Sequence, residues 1–211
     1  MKNIPVFTTE AGVASLVLEE IPYKRIAYIR LQSTSSPRAL LNDAVALCRA
    51  AGADTIYACG HDYLKKLPLY TEIVQMECEK QALSTSDLVP LPVDDASLNL
   101  WCELYNAHMY SVPNAATMTK AKAEEMRKTK DAYLVYDGDV LIGIGRATEG
   151  KVNALVSVVQ GRGRDVMLSL CSILDTDIIS VEVAKTNYKA INLYRRLGFL
   201  EKKLISTWYC V

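Results

Sequence analysis

Short alternating runs give way repeatedly to apolar residues at helical spacing along the chain. Ile26, Ala27, Tyr28, Ile29 and Leu31 crowd into a run that predicts a strand over 26–31, with a partner near 15–18. From Pro37 onward Leu40, Leu41, Ala44, Val45, Leu47 and Cys48 recur three or four apart. That spacing predicts a helix with the proline in its first turn and its end near Gly52. A buried strand at 55–59, a weaker helical stretch at 62–70 interrupted by Pro68, and a strand at 73–78 follow. The polar run Ser84-Thr85-Ser86-Asp87 reads as a linker.

Beyond it the pattern predicts a strand at 88–92 and a helix carrying Leu98, Trp101, Cys102, Tyr105 and Met109 on one face. A loop over 111–114 and a charged helix over 119–130 come next. Strands at 133–136 and 140–147 flank Asp137-Gly138-Asp139, where the Asp-Gly pair marks a hairpin. A strand at 152–159, a helix from Gly163, a strand at 178–183, a helix at 188–197 and a strand at 204–210 complete the chain. The two parts echo each other. Strand, Gln32, helix with Leu40 and Cys48, strand at Thr55 and then Leu69-Tyr70 parallels strand, Gln160, helix with Leu168 and Cys171, strand at Ile178 and then Leu193-Tyr194. This predicts an internal repeat and a division into residues 1–85 and 86–211. Alternating helices and turn-linked strands predict an α/β fold whose mixed sheet is covered by helices on both faces.

With 211 residues, half of them apolar, the chain can bury a sizeable core. Its 24 basic residues balance 24 acidic ones, so no global field attracts nucleic acid or an anionic membrane. Two histidines, His61 and His108, are too few for a histidine-rich metal site. The six cysteines form no C-x-x-C pair and sit mostly in apolar runs, which points to buried thiols of a reducing compartment. Met1-Lys2-Asn3-Ile4-Pro5 opens no secretory signal, and no apolar stretch nears the roughly 20 residues of a membrane span. A cytoplasmic protein is the expectation.

Two segments carry candidate chemistry. Gln160-Gly161-Arg162-Gly163-Arg164-Asp165 lies between a strand and a helix, where glycines and unpaired N–H groups suit a pyrophosphate, or simply a tight turn. It matches neither the P-loop nor the three-glycine dinucleotide fingerprint. Further on, Asn187 is a good N-cap, and Ala190, Leu193, Tyr194 and Leu197 form one apolar face. Arg195 and Arg196 favour the helix C-terminus and Gly198 ends it. Periodicity alone makes this a core helix with Tyr194 as packing.

Together, in order and spacing, the two segments resemble the Gcn5-related N-acetyltransferase (GNAT) superfamily. Gln160, Gly163 and Asp165 stand at the places of its Gln/Arg-x-x-Gly-x-Gly/Ala loop. Asn187, Ala190, Leu193, Tyr194, Gly198 and Phe199 match its later Asn-x-x-Ala-x-x-Leu-Tyr-x-x-x-Gly-Phe motif. The resemblance covers about residues 88–211 and makes the first 85 a worn, partial copy, a tandem of one partial and one complete GNAT-like sheet. It implies acetyl transfer from acetyl-CoA to an amine, either a small molecule or a protein N-terminus. It also implies pyrophosphate contacts from Gln160, Gly161, Arg162, Gly163, Arg164 and Asp165. Strand backbone at Leu155, Val156 and Ser157 would pair with pantetheine, and Asn187 would hydrogen-bond it. Tyr194 would protonate the departing thiolate. Glu182, twelve positions earlier, matches the water-linked base of members resembling the ribosomal-protein N-terminal acetyltransferases.

The chain departs from the pattern at Asp165, where the superfamily has glycine or alanine; a carboxylate there repels a pyrophosphate unless Arg162 and Arg164 offset it. A sensor that binds acetyl-CoA or another ligand without turnover is therefore the alternative. A phosphate or nucleic-acid module using Arg162 and Arg164 is weaker, given the neutral charge. In the first copy Ser33-Thr34-Ser35-Ser36-Pro37 replaces the glycine loop and Tyr63 takes the place of Asn187, so no acetyl-CoA site is expected there. Glu182 reads equally as an ion-paired strand residue, with Lys185 as partner, and His108 as a surface histidine.

Overall fold

The computed structural model describes residues 5–211. Residues 1–4, most of the segment read as lacking a secretory signal, lie outside them. The chain divides into two compact units: one ends at Ile73 and takes back Leu204–Val211, and the other is Val74–Lys203. The sequence-based division after residue 85 does not coincide with these units. β5 (Leu69–Glu79) runs unbroken through the first boundary and β11 (Leu200–Cys210) through the second.

In the first unit β1 (Val6–Thr9) and β2 (Gly12–Val17) form an antiparallel hairpin. The single turn α1 (Ile21–Lys24) leads to β3 (Ile26–Thr34), which pairs antiparallel with β2. α2 (Pro37–Ala50) then carries the chain to β4 (Thr55–Cys59), parallel to β3. β1 and α1 escape the sequence reading because four residues hold too little periodicity. α2 buries Leu40, Leu41, Ala44 and Cys48 against Ile29, Leu31, Ile56 and Ala58. Burying each large side chain contributes about 1.5–3 kcal/mol, so this face fixes the helix on the sheet. After β4 the expected helical stretch is one 3-10 turn, Asp62–Lys66, stopped before Pro68. Tyr70, read as the echo of a helical tyrosine, lies on β5 instead, because the proline ends helical geometry two residues earlier.

The second unit contains β6 (Leu91–Pro92), α3 (Leu98–Met109), α4 (Lys120–Thr129), β7 (Ala132–Asp137), β8 (Val140–Thr148) and β9 (Lys151–Ser157). α5 (Gly163–Ser172), β10 (Ile178–Ala184) and α6 (Tyr188–Arg196) follow. β6 to β9 pair antiparallel in sequence order, and β10 lies parallel to β9. The order of strands and helix, antiparallel, antiparallel and then parallel through a helix, is the same as from β1 to β4.

Helices cover both faces of this sheet. α3 and α4 bury Trp101 and Met126 against Leu134, Ile144 and Val156, and the Trp101 indole N–H donates to Tyr133 O at 3.2 Å. α5 and α6 share the opposite core, where Val166, Leu170, Ile191 and Tyr194 meet Val152, Val181 and Val183. Gly143 and Gly145 let α5 lie directly on β8. A Cβ at Gly143 would sit 2.4 Å from Val166, and one at Gly145 2.2 Å from Leu170.

Candidate functional site

β9 and β10 hold together only at their beginnings. Ser180 pairs with Lys151 and Val181 with Val152, after which the two strands part while each continues. Leu155, Val156 and Ser157 therefore lie on the stretch of β9 that no longer pairs with β10, although it still pairs with β8. The end of β9 is irregular as well. Val158 and Val159 both direct their N–H to Ile142 O, at 3.0 and 3.4 Å, and the Ser157 hydroxyl donates to Val159 O at 2.6 Å. Two successive amides on one carbonyl is a bulge, and it ends the strand at Ser157 rather than at residue 159. The opened edge leaves main-chain groups of β9 free for an extended ligand.

At the head of that opening stands the first turn of α5. Gly161 adopts φ +86°, and the N–H of Arg162 reaches Val159 O at 3.3 Å. The N–H groups of Gly161, Gly163, Arg164 and Asp165 have no acceptor among the described residues. Free amides and the helix dipole give this turn the means to hold an anion. Gln160 is exposed in the same turn. The two arginines are already engaged: Arg162 donates to Asp165 through Nε and to Asp137 through Nη2 at 2.8 Å, and Arg164 reaches Ser84 Oγ at 3.1 Å. The Asp137 and Asp165 carboxylates hold the Arg162 guanidinium protonated, above its already high range. Asp137, the last residue of β7, carries no site signal in the sequence, because only the folded hairpin brings it to Arg162.

α6 borders the same opening. Asn187 caps it, its side-chain oxygen accepting from Ala190 N at 3.3 Å, so its amide nitrogen is left for another partner. The helix closes with a pair of main-chain hydrogen bonds. Phe199 N–H reaches Tyr194 O at 3.0 Å, Gly198 N–H reaches Arg195 O at 3.1 Å, and Gly198 stands at φ +93°. This geometry brings Phe199 back onto Tyr194, ring centres 5.7 Å apart. The spacing Tyr-x-x-x-Gly-Phe is thus a helix stop that clamps the tyrosine. Tyr194 is 8% exposed, and burial, with a smaller contribution from the Cys171 thiol, pushes its phenol up to about 12.

Glu182 lies on the other side of β10. Val181 and Val183 join the core that contains Tyr194, so alternation sends Glu182 away from it. Its carboxylate pairs with Lys151 at 2.5 Å, not with Lys185, which pairs with Glu201 at 3.0 Å. The β9–β10 register sets that choice, because Lys151 stands opposite the start of β10. His108 is exposed on the last turn of α3, and Trp101 and Tyr105 stack within the core.

The first unit keeps the strand order without the opening. β3 and β4 stay paired from Ile26–Thr55 to Arg30–Cys59, and α2 begins at Pro37, which carries no N–H. Tyr63 lies on the 3-10 turn and donates its N–H to His61 Nδ1.

No protein-family model and no curated protein matches the sequence. Solved structures do. A GCN5-related N-acetyltransferase from Sphaerobacter thermophilus aligns over 95% of this chain and 76% of its own, with TM-score 0.61 and 13% identity. A functionally unknown conserved protein from Staphylococcus epidermidis aligns over 100% and 94%, with TM-score 0.64 and 10% identity. A tandem GNAT protein from the clavulanic acid biosynthesis pathway aligns over 95% and 78%, with TM-score 0.51 and 12% identity. The splayed parallel strands, the helices on both faces of the sheet and these likenesses agree: the chain has the Gcn5-related N-acetyltransferase fold.

Proposed function

We propose that the chain is an acetyl-CoA-dependent N-acetyltransferase whose site lies in the second unit. The observation that carries the reading is the parting of β9 from β10 directly below the free amides of α5. A thioester arm can run along Leu155, Val156 and Ser157, its pyrophosphate on the N–H groups of Gly161 to Asp165 and its amides near Asn187. The acceptor's neutral nitrogen attacks the thioester carbonyl; the C–N bond forms and the C–S bond breaks. Tyr194 gives its proton to the departing thiolate, a role suited to a phenol that stays protonated at neutral pH. The proton lost by the amine passes through water to Glu182. The first unit, with the same strand order but β3 and β4 closed, is a worn copy that binds no acetyl-CoA. Localisation in the cytoplasm is part of the same reading, and the acceptor is a small amine or a protein N-terminus.

The second reading is a sensor that binds acetyl-CoA without turnover, favoured by the two carboxylates that occupy Arg162. Calorimetric titration with acetyl-CoA is expected to give one site per chain, lost in Gly163→Val. A Cβ at Gly163 makes ordinary contact with Leu193 at 3.4 Å, so it is the added branches of valine, on the first turn of α5, that would crowd a ligand on the free amides. No binding, or two equivalent sites, overturns the assignment. Thiol release with a panel of amines and short peptides separates enzyme from sensor.

A further inference from the structure

The first unit has a cavity of its own. About 510 Å³ open between the end of β4, the 3-10 turn after it, Arg30 of β3 and the 205–209 stretch of β11. β11 pairs with β4 only through Tyr209–Ala58 and Cys210–Tyr57, so the segment before them diverges and leaves the space. This size suits a small organic ligand rather than a bare ion.

The lining is cationic. The Arg30 guanidinium is exposed and has no carboxylate partner among the described residues. His61 Nδ1 accepts the Tyr63 N–H at 3.0 Å, so in the neutral ring Nε2 carries the hydrogen and is a donor. Asp62, the one carboxylate of the lining, is neutralised by Lys65 at 2.8 Å and is itself largely in water. Ser206 accepts from the Trp208 indole at 2.9 Å, which leaves its own hydroxyl hydrogen to donate, while Ile205 and Tyr209 give an apolar wall. Cys59 also lines the cavity but is 1% exposed, and burial pushes its thiol up to about 11, which keeps it protonated at neutral pH.

We propose that this cavity binds an organic anion, its carboxylate or phosphate head on Arg30 with donors from His61 and Ser206 and its body against Ile205 and Tyr209. A guanidinium fork without a protein carboxylate is matched to such a head. The site would give the first unit a binding role although its sheet has no opening for acetyl-CoA.

The test is an NMR titration of the full chain with phenyl phosphate, benzoate and uncharged benzyl alcohol. Shifts of the Gly60, His61 and Ser206 amides are expected with at least one anion and not with the alcohol; the stronger anion identifies the head group. Arg30→Gln should weaken that binding at least about tenfold, the scale of one charge-assisted contact. His61→Asn keeps an acceptor for the Tyr63 N–H and removes the Nε2 donor, so it should weaken binding with near-UV dichroism unchanged. No shift at these amides, equal response to the alcohol, or unaltered binding in Arg30→Gln overturns the proposal. None of these outcomes depends on acetyl-CoA binding in the second unit.

Discussion

Arg162 Nε donates to the Asp165 carboxylate three residues further along the first turn of α5, while its Nη2 holds Asp137 at 2.8 Å. The carboxylate that departs from the superfamily pattern is therefore tied to the arginine expected to offset it. Asp165→Asn keeps the side chain's shape and removes its charge, freeing part of the guanidinium for a pyrophosphate. Acetyl-CoA affinity is expected to rise about fivefold, the scale of one half-exposed charge. Calorimetry at low salt measures it; unchanged or weaker binding would mean that Asp165 orders the loop.

Tyr194→Phe keeps the packing on Phe199 and deletes the hydroxyl proposed to protonate the thiolate. Acetyl-CoA affinity and melting temperature should hold while turnover falls by about 10²-fold, the usual scale for a lost general acid. The loss should shrink with an activated thioester whose thiolate needs no proton. Equal turnover would leave Tyr194 as packing alone.

Alkaline stability follows from the same burial. The Tyr194 phenol rises from 10.0 to about 12, so below pH 10 both native and unfolded chains hold the proton and stability is unaffected. Between 10 and about 12 the unfolded chain releases it first, and stability is lost as pH rises. The loss reaches about 2–3 kcal/mol for a shift of two units. Cys171, raised from 9.0 to about 12 by burial, adds a loss of the same sign that begins lower. Urea unfolding across this range should show the fall, shallower in Tyr194→Phe; identical slopes would mean the phenol is solvated.

Glu182 and Lys151 form a half-exposed pair, so breaking it should cost less than about 1 kcal/mol of stability. Glu182→Gln is expected to lower turnover, and Lys151→Met to leave it largely intact. Matching kinetics in the two variants would reduce Glu182 to an ion-pair partner.

Gly143→Ala places a methyl group 2.4 Å from Val166 and 2.6 Å from Val156 O. Overpacking of this kind costs about 1–3 kcal/mol, read as a lower melting temperature, and it should also loosen acetyl-CoA by shifting α5. A wild-type melting curve would show that α5 rides up without cost.

Periodicity and turn chemistry determined most of the elements. Pro37 begins α2, Asp137-Gly138 turns the β7–β8 hairpin, Asn187 caps α6 and Gly198 ends it; each is a local preference that acts within a few residues. Local pattern reads Gly161 to Asp165 as a turn and Tyr194 as packing; their candidate chemistry rests on the order and spacing of the two segments taken together. Tertiary structure decided the rest, because strand register and the meeting of distant turns are non-local. Only pairing shows that β9 leaves β10 after Val152 and Val181 while β3 keeps β4 to Arg30 and Cys59, which separates an open edge from a closed one. Only the folded sheet gives Glu182 to Lys151 rather than to Lys185, and draws Asp137 onto Arg162. Pro68 is legible as a helix breaker, but only the folded chain shows Tyr70 entering β5 directly after it.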